Sequence, residues 1–403
     1  MAPSPDITIR NAESSDADQM RLLTETNFAF RTDPELLKAE QQDPVFRTED
    51  ALIAVDQGRV VGQVKVGRQL LTVPGARAVE VAAISGVVVA PTHRRRGILR
   101  AMYTEQHRRT EEAGLPLTIF TVSEGTIYGR FGYGPVIVAN SVTIDRTEAE
   151  FRSTAPDPGG VFLVDTAEAK DRIIDIYDRW HRQTIGTQAS PPSQWRRVFA
   201  DPESYRDGGT SLFTLLHADG YAQYRYMDKD DKNQVYVEDL RAVTPDAHVA
   251  LWRALMGLDL IDEIATLLAE DDPLPYLLKD IRSVRVKNRH DLLWLRTMDI
   301  PAALTARTYL DDLDIVVAVD DPFRNAGGAF ALRVRDGIAE CEPTTRSADI
   351  ELGIDVLASM YLGTYSPRLF AAANRLQAKD SGTVRALEAA FRTEHAAKLG
   401  WHF

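Results

Sequence analysis

Apolar and polar positions recur with two different periods along the chain, and each change of period marks an element. Residues 16–29 (DADQMRLLTETNFA) carry apolar side chains at the spacing of an amphipathic helix. ALIAVD, a Gln57-Gly58 turn and RVVGQVKV then predict a β-hairpin. A second strand-rich run, VEVAAISGVVV, extends from Val79 to Val89 and gives way to Pro91. Beyond THRRRG, the stretch ILRAMYTEQHRRTEEAG predicts a helix that ends near Gly114, and LTIFTV (Leu117–Val122) has the length of a strand. Strand pair, helix and strand in that order predict a mixed α/β or α+β domain with a largely antiparallel sheet.

The small-residue and proline stretch STAPDPGG (Ser153–Gly160) interrupts this alternation and predicts a boundary. Within the next block, LRAVTPDAHVALWRAL (Leu240–Leu255) resembles VVVAPTHRRRGILRAM (Val87–Met102) at an offset of 153 residues. Both stretches are strand, turn and helix. Either the likeness is chance or the pair is an internal repeat whose second copy kept its packing positions and lost its basic and glycine positions. A third block begins near Asp291, with strand-like DIVVAVDD and GAFALRVRDG, the latter ending in an Asp-Gly turn signal. IDVLASMYLG, SPRLFAAANRL and SGTVRALEAAF follow as helices, with Ser366 and Ser381 as expected N-caps. The expected domains are 1–152, 153–290 and 291–403.

Length and composition fit that division. The chain has 403 residues, is 44% hydrophobic and 26% charged, and sets 47 Lys+Arg against 59 Asp+Glu for a net charge of -12. Acidity spread through all three blocks repels nucleic acid and favours cationic partners. No apolar run approaches the ~20 residues needed to span a bilayer, and MAPSPDITIR lacks a basic-then-apolar leader pattern, so no membrane partner and a cytoplasmic location are expected. Cys341, the single cysteine, reads as a small buried hydrophobe, and no histidine or cysteine grouping has metal-ligand spacing.

The chemistry concentrates between Val87 and Arg100. There an apolar strand runs into Thr92-His93-Arg94-Arg95-Arg96, and Gly97 stands where a helix begins. Helix N-terminal N–H groups attract phosphate, a glycine lets a diphosphate come close, and arginines add charge and hydrogen-bonding forks. Alone, RRRG could equally be a solvated basic turn. Its placement between an apolar strand and an amphipathic helix favours an anion site. It is neither a Walker loop nor a GxGxxG fingerprint.

This stretch resembles the acetyl-CoA pyrophosphate loop of GNAT N-acetyltransferases, [RQ]-x-x-G-x-[GA], with Leu99 replacing the last small residue. With SEGTIYGRFGYGP (Ser123–Pro135), LWRALMGLD, DPLPYLL, LWLR, IPAAL, YLG and AAANRL, the whole chain resembles the Eis (enhanced intracellular survival) acetyltransferases of actinobacteria. The resemblance implies an α+β (mixed α/β) fold: two tandem GNAT domains, the second degenerate, and a C-terminal sterol-carrier-protein-like domain. It implies acetyl-CoA as cosubstrate, no metal, a cationic amine as acceptor, most readily an aminoglycoside, and a homohexamer. Val87, Val88 and Val89 would hydrogen-bond the pantetheine, and Arg95, Arg96, Gly97, Ile98, Leu99 and Arg100 would hold the pyrophosphate. Ser123 and Glu124 would lie beside the cofactor. Tyr128 matches the general acid, and the carboxylate of Phe403 matches the general base.

Read without the resemblance, GRFGYG is an aromatic, glycine-rich turn in which Phe131 or Tyr133 would pack as well as Tyr128. A free phenol sits near pKa 10 and a thiol near 8.5, so complete proton transfer from an unperturbed tyrosine would be uphill by ~2 kcal/mol. Hydrogen bonding with partial transfer suits the phenol better. A carboxylate is a poor base for an ammonium ion, so Phe403 is expected first to bind the cationic amine and to take its proton once attack makes the nitrogen acidic. The acceptor pocket departs from the family: His402 stands where an acid is found, Gly86 where an aromatic can stand, and Phe28-Ala29-Phe30 in the first helix region. Protein lysines or polyamines are the alternative acceptors, and a non-catalytic lipid or CoA carrier is the alternative of another class.

Overall fold

A computed structural model describes residues 7–29, 31–33, 44–229 and 232–403. Phe30 lies outside them. The chain forms two compact units, one of Met1–Ile137, Ile185–Gln188 and Asp291–Phe403, the other of Val138–Thr184 and Ala189–His290.

The N-terminal part of the first unit follows the expected periods. It contains β1 (Ile7–Asn11), α1 (Ala17–Phe28), β2 (Leu52–Asp56), β3 (Arg59–Val73), β4 (Arg77–Val89), α2 (Ile98–Glu112), β5 (Leu117–Thr121) and the start of β6 (Gly134–Asp145). Strands β1 to β4 pair antiparallel in sequence order, with the expected turn at Gln57-Gly58. The β4–β5 pair is parallel and short, with Ala82 opposite Thr118 and Ala83 opposite Ile119. β4 then runs on to Val89, so the two strands part. The β3–β4 register shifts between Gln63 and Lys65, where Gly86 adopts φ 56°, a left-handed conformation that a side chain there would strain. α2 lays Ile98, Met102, Tyr103, Gln106, His107 and Thr110 onto the sheet.

The second unit repeats this plan. After β7 (Phe162–Val164), α3 (Lys170–Gln183) and α4 (Pro192–Ala200) come β8 (Phe213–His217), β9 (Gly220–Lys229), β10 (Lys232–Ala242), α5 (Pro245–Met256), β11 (Glu263–Ala269) and α6 (Leu274–Leu277). β10 and β11 are parallel only from Gln234/Glu263 to Tyr236/Ala265, and β10 bulges between Val237 and Asp239. The strand–turn–helix of β10 and α5 is the second copy of β4 and α2. Its helix N-terminus differs: Thr244 accepts from the Ala247 N–H through its own side chain, and Pro245 follows it. A self-capped first turn offers fewer free donors to an anion.

β12 (Val284–Thr297) leads back into the first unit, where Leu293–Thr297 pairs with β5. The C-terminal part adds α7 (Ile300–Ala306), β13 (Leu313–Asp320), β14 (Gly328–Arg335), β15 (Ile338–Pro343), β16 (Ile350–Gly353), α8 (Ile354–Met360), α9 (Pro367–Ala372), β17 (Leu376–Ala378) and α10 (Ser381–Phe391). Its sheet has the order β15-β14-β13-β16-β17, and the helices cover an apolar core that includes Leu332, Ile350, Leu357 and Leu387. Cys341 is buried there.

Two local expectations need correction. α10 is capped by Asp380, which accepts from the Thr383 N–H at 2.8 Å, and Ser381 is the first helical residue. The carboxylate is the stronger acceptor for a helix N-terminus. Ser366 occupies the N-cap of α9 without a side-chain cap bond, and that helix stops at Ala372, so Leu376 enters β17.

Candidate active site

The parting of β4 from β5 opens a cleft in the first unit. The Ala90 N–H donates to Val61 on β3 at 2.8 Å. Backbone groups alternate along a strand, so those of Val87 and Val89 face the opposite side, toward β5, whose pairing has ended. An acyl-amide chain lying along β4 would meet donors and acceptors in extended register there.

The basic turn follows. Arg95 and Gly97 both hold left-handed conformations, φ 63° and 77°, on either side of Arg96. α2 begins at Ile98 with no side-chain cap and no acidic residue in its first turn. Its free N–H groups, the helix dipole and the exposed Arg94 and Arg95 suit a diphosphate. Asp56, at the end of β2, secures the turn. It meets His93 Nε2 at 3.0 Å and accepts from the Arg96 guanidinium at 3.4 Å, while Thr92 Oγ1 lies 2.8 Å from His93 Nδ1. The Arg100 guanidinium covers the Phe323 ring at 5.0 Å.

β5 ends at Thr121, and Ser123 and Glu124 lie exposed in the loop that follows. The chain then turns at Tyr128, whose ring is buried against Phe120 at a centroid distance of 4.3 Å. Beneath it Tyr103 stacks on Phe131 at 4.7 Å, and His107 Nε2 lies 3.0 Å from the Tyr133 hydroxyl. Burial, reinforced by the Glu124 charge, pushes the Tyr128 phenol up to about 12. Burial, with the Arg296 and Arg324 charges adding, holds His107 well below the usual imidazole range. The fully buried Arg296 donates to the Phe131 carbonyl and to Asp321, each at 2.5 Å, fixing the turn from behind.

Phe403 arrives at β5 from the other face. Its main-chain oxygen, one of the carboxyl pair, accepts from Thr121 Oγ1 at 2.5 Å. Its ring stacks near Phe46 at 6.1 Å and meets Trp401 at 5.3 Å. Phe120 and Thr121 are consecutive, so their side chains leave opposite faces of the strand. Tyr128 therefore sits on one side of the β5 tip and the Phe403 carboxyl on the other. His402 is exposed, and the Lys65 side chain lies across Gly86, 3.2 Å from where a Cβ would stand.

Sequence reasoning singled out the strand, the turn, Tyr128 and Phe403, and passed over Asp56 and Thr121. Asp56 carried one unused signal, a carboxylate beside the Gln57-Gly58 turn. Thr121 carried none, since threonine is an ordinary strand residue.

A parted parallel pair with a basic, glycine-opened helix start beside it defines a GNAT N-acetyltransferase, a class that uses acetyl-CoA. Residues 8–136 match an acetyltransferase (GNAT) domain family, residues 186–297 a second acetyltransferase (GNAT) domain family, and residues 300–399 a sterol carrier protein domain family. The chain is 42% identical over 412 residues to the N-acetyltransferase Eis of Mycobacterium tuberculosis, covering 98% of this chain and 100% of that protein. An uncharacterized N-acetyltransferase of Streptomyces griseus is 36% identical over 357 residues, 84% of this chain and 86% of its own length. The crystal structure of Eis1 from Mycobacterium abscessus superposes with a TM-score of 0.86 at 31% identity, covering 98% of this chain and 100% of that one. The chain belongs to the Eis family of N-acetyltransferases.

Proposed function

We propose that this acetyltransferase moves the acetyl group of acetyl-CoA to a primary amine of a cationic acceptor, with aminoglycosides as the first acceptor class. The observation that carries the reading is the arrangement about the β5 tip, with a buried phenol on one face and a carboxyl on the other. Val87 and Val89 would hold the pantetheine through their backbone groups, with Val88 between them. Arg95, Arg96, Gly97, Ile98, Leu99 and Arg100 would receive the pyrophosphate, and Ser123 and Glu124 would border the cofactor. The cosubstrate supplies a thioester whose C–S bond breaks as the amine's C–N bond forms.

The Phe403 carboxylate draws in the cationic amine; once the ammonium has given one proton to water, its freed lone pair attacks, and the carboxylate takes the second proton, which attack makes acidic. Tyr128 hydrogen-bonds the departing sulfur. A phenol near 12 facing a thiol near 8.5 would lose ~5 kcal/mol by complete transfer, so it acts as a donor that keeps most of its proton. Acidity along the chain favours cationic acceptors. The family kinship supports a homohexamer and the division at 152/153 and 290/291. Among the described residues no helix is long and apolar enough to cross a membrane, and a cytoplasmic location accords with that.

Thiol release from acetyl-CoA with kanamycin, spermidine and a lysine peptide tests the reading. Turnover with kanamycin at the highest kcat/KM supports it. A higher kcat/KM for either other amine replaces the acceptor class, and no release with any amine leaves a carrier.

A further inference from the structure

We infer that Thr121 is a positioning residue that aims the Phe403 carboxylate at the cleft, an inference that rests on the reading of that carboxylate as proton acceptor. The last twelve residues form no helix or strand, so the direction of the terminus is set by individual contacts. The tail is anchored earlier. Ala397 and Leu399 are buried in the core that Phe46 and Phe403 border, and the Lys398 N–H donates to Ile185 at 2.8 Å. The segment Ile185–Gln188 is itself bonded to β3, with Thr72 N–H donating to Thr187 at 2.9 Å and Gly186 N–H donating to Thr72 at 2.7 Å.

These contacts bring the tail to the end of β5, where Phe403 itself makes the last ones. The ring, packed against Phe46 and Trp401, restrains one side of that residue. The Thr121 hydroxyl restrains the other at 2.5 Å, from the final residue of β5, one position from the Phe120 ring that supports Tyr128. One strand end thus sets both candidate proton-transfer groups. A donated hydrogen bond also favours a carboxyl's ionised form over its neutral one, as a neighbouring cation does.

The test compares Thr121→Val and Thr121→Ser with the parent chain, using kanamycin and acetyl-CoA. Val keeps the shape and removes the donor. It should lower kcat on the order of 10- to 100-fold, leave KM for acetyl-CoA unchanged and move the acid limb of the pH profile to higher pH. Ser should restore most of the rate and the limb. Should Val fail to fold, Thr121→Ala replaces it in the same comparison. Equal losses in Val and Ser with an unmoved limb overturn the inference, because packing then explains them. A chain lengthened by one glycine after Phe403 separates the two claims: if it is inactive while Thr121→Val is unimpaired, only the positioning role falls, and if it keeps full kcat, the base reading falls and takes this inference with it.

Discussion

Tyr128 keeps its proton because its surroundings cannot solvate a phenolate. The ring lies against Phe120 and near Tyr103, and Glu124 adds an unfavourable charge. Tyr128→Phe should lower kcat ~100-fold while KM for acetyl-CoA stays within about twofold, measured by thiol release. Because the phenol is held near 12, kcat should show no alkaline loss from this group up to pH 10.5, whereas an unperturbed tyrosine would begin to fail near 10. Glu25 shows the opposite displacement. Arg31 and Thr32 hold its carboxyl at about 2, from 4.5. Its folded pKa is depressed, so the stability it contributes is present above 4.5 and is lost as pH falls toward 2. Acid titration followed by circular dichroism should show Glu25→Gln flattening unfolding across that window. Of these residues the sequence singled out Tyr128, and only through its resemblance to a family. Thr121 was illegible because its partner lies 282 positions away and a strand threonine carries no mark of its own.

The β4–turn–α2 element is the part that sequence reads best, since an apolar strand, a basic turn and a glycine before an amphipathic helix are all local signals. Its second copy makes the physical contrast. Where Gly97 leaves the first turn of α2 open, Thr244 and Pro245 close that of α5. The parting of the parallel strands survives in both, because it depends on bulges and register that polar substitutions do not disturb. Asp56→Asn weakens the hold on His93 and Arg96, and should raise KM for acetyl-CoA about fivefold with kcat little changed, as steady-state kinetics would show. Capping was less legible. An Asp-Ser pair offers two candidate caps, and the helix takes the carboxylate of Asp380. Asp380→Ala should therefore cost ~1 kcal/mol in thermal or urea unfolding, and Ser381→Ala much less.

At the scale of the molecule, the first unit gathers both ends of the chain and the short segment Ile185–Gln188. No periodicity along a sequence could announce that grouping, because it rests on contacts between distant residues. Arg296 is the clearest case: it comes from β12, donates to Phe131 behind the Tyr128 turn and pairs with Asp321 in the C-terminal part, fully buried. Removing it strands a buried carboxylate, a change that costs ~3–5 kcal/mol in such pairs, so Arg296→Ala should unfold at a distinctly lower midpoint. The same unit carries the tail to β5, and under the proposed function this would give the third part of the chain a role in the chemistry of the first.

That role is tested most directly by lengthening the chain at its end. Thiol release with kanamycin would be measured for the parent chain and for one carrying a single glycine after Phe403, alongside binding of CoA to each. The extended chain should bind CoA as the parent does and lose turnover at least ~100-fold, since its carboxylate is displaced from Thr121 by a residue's length. An extended chain that binds CoA and turns over at the parental rate would contradict that role.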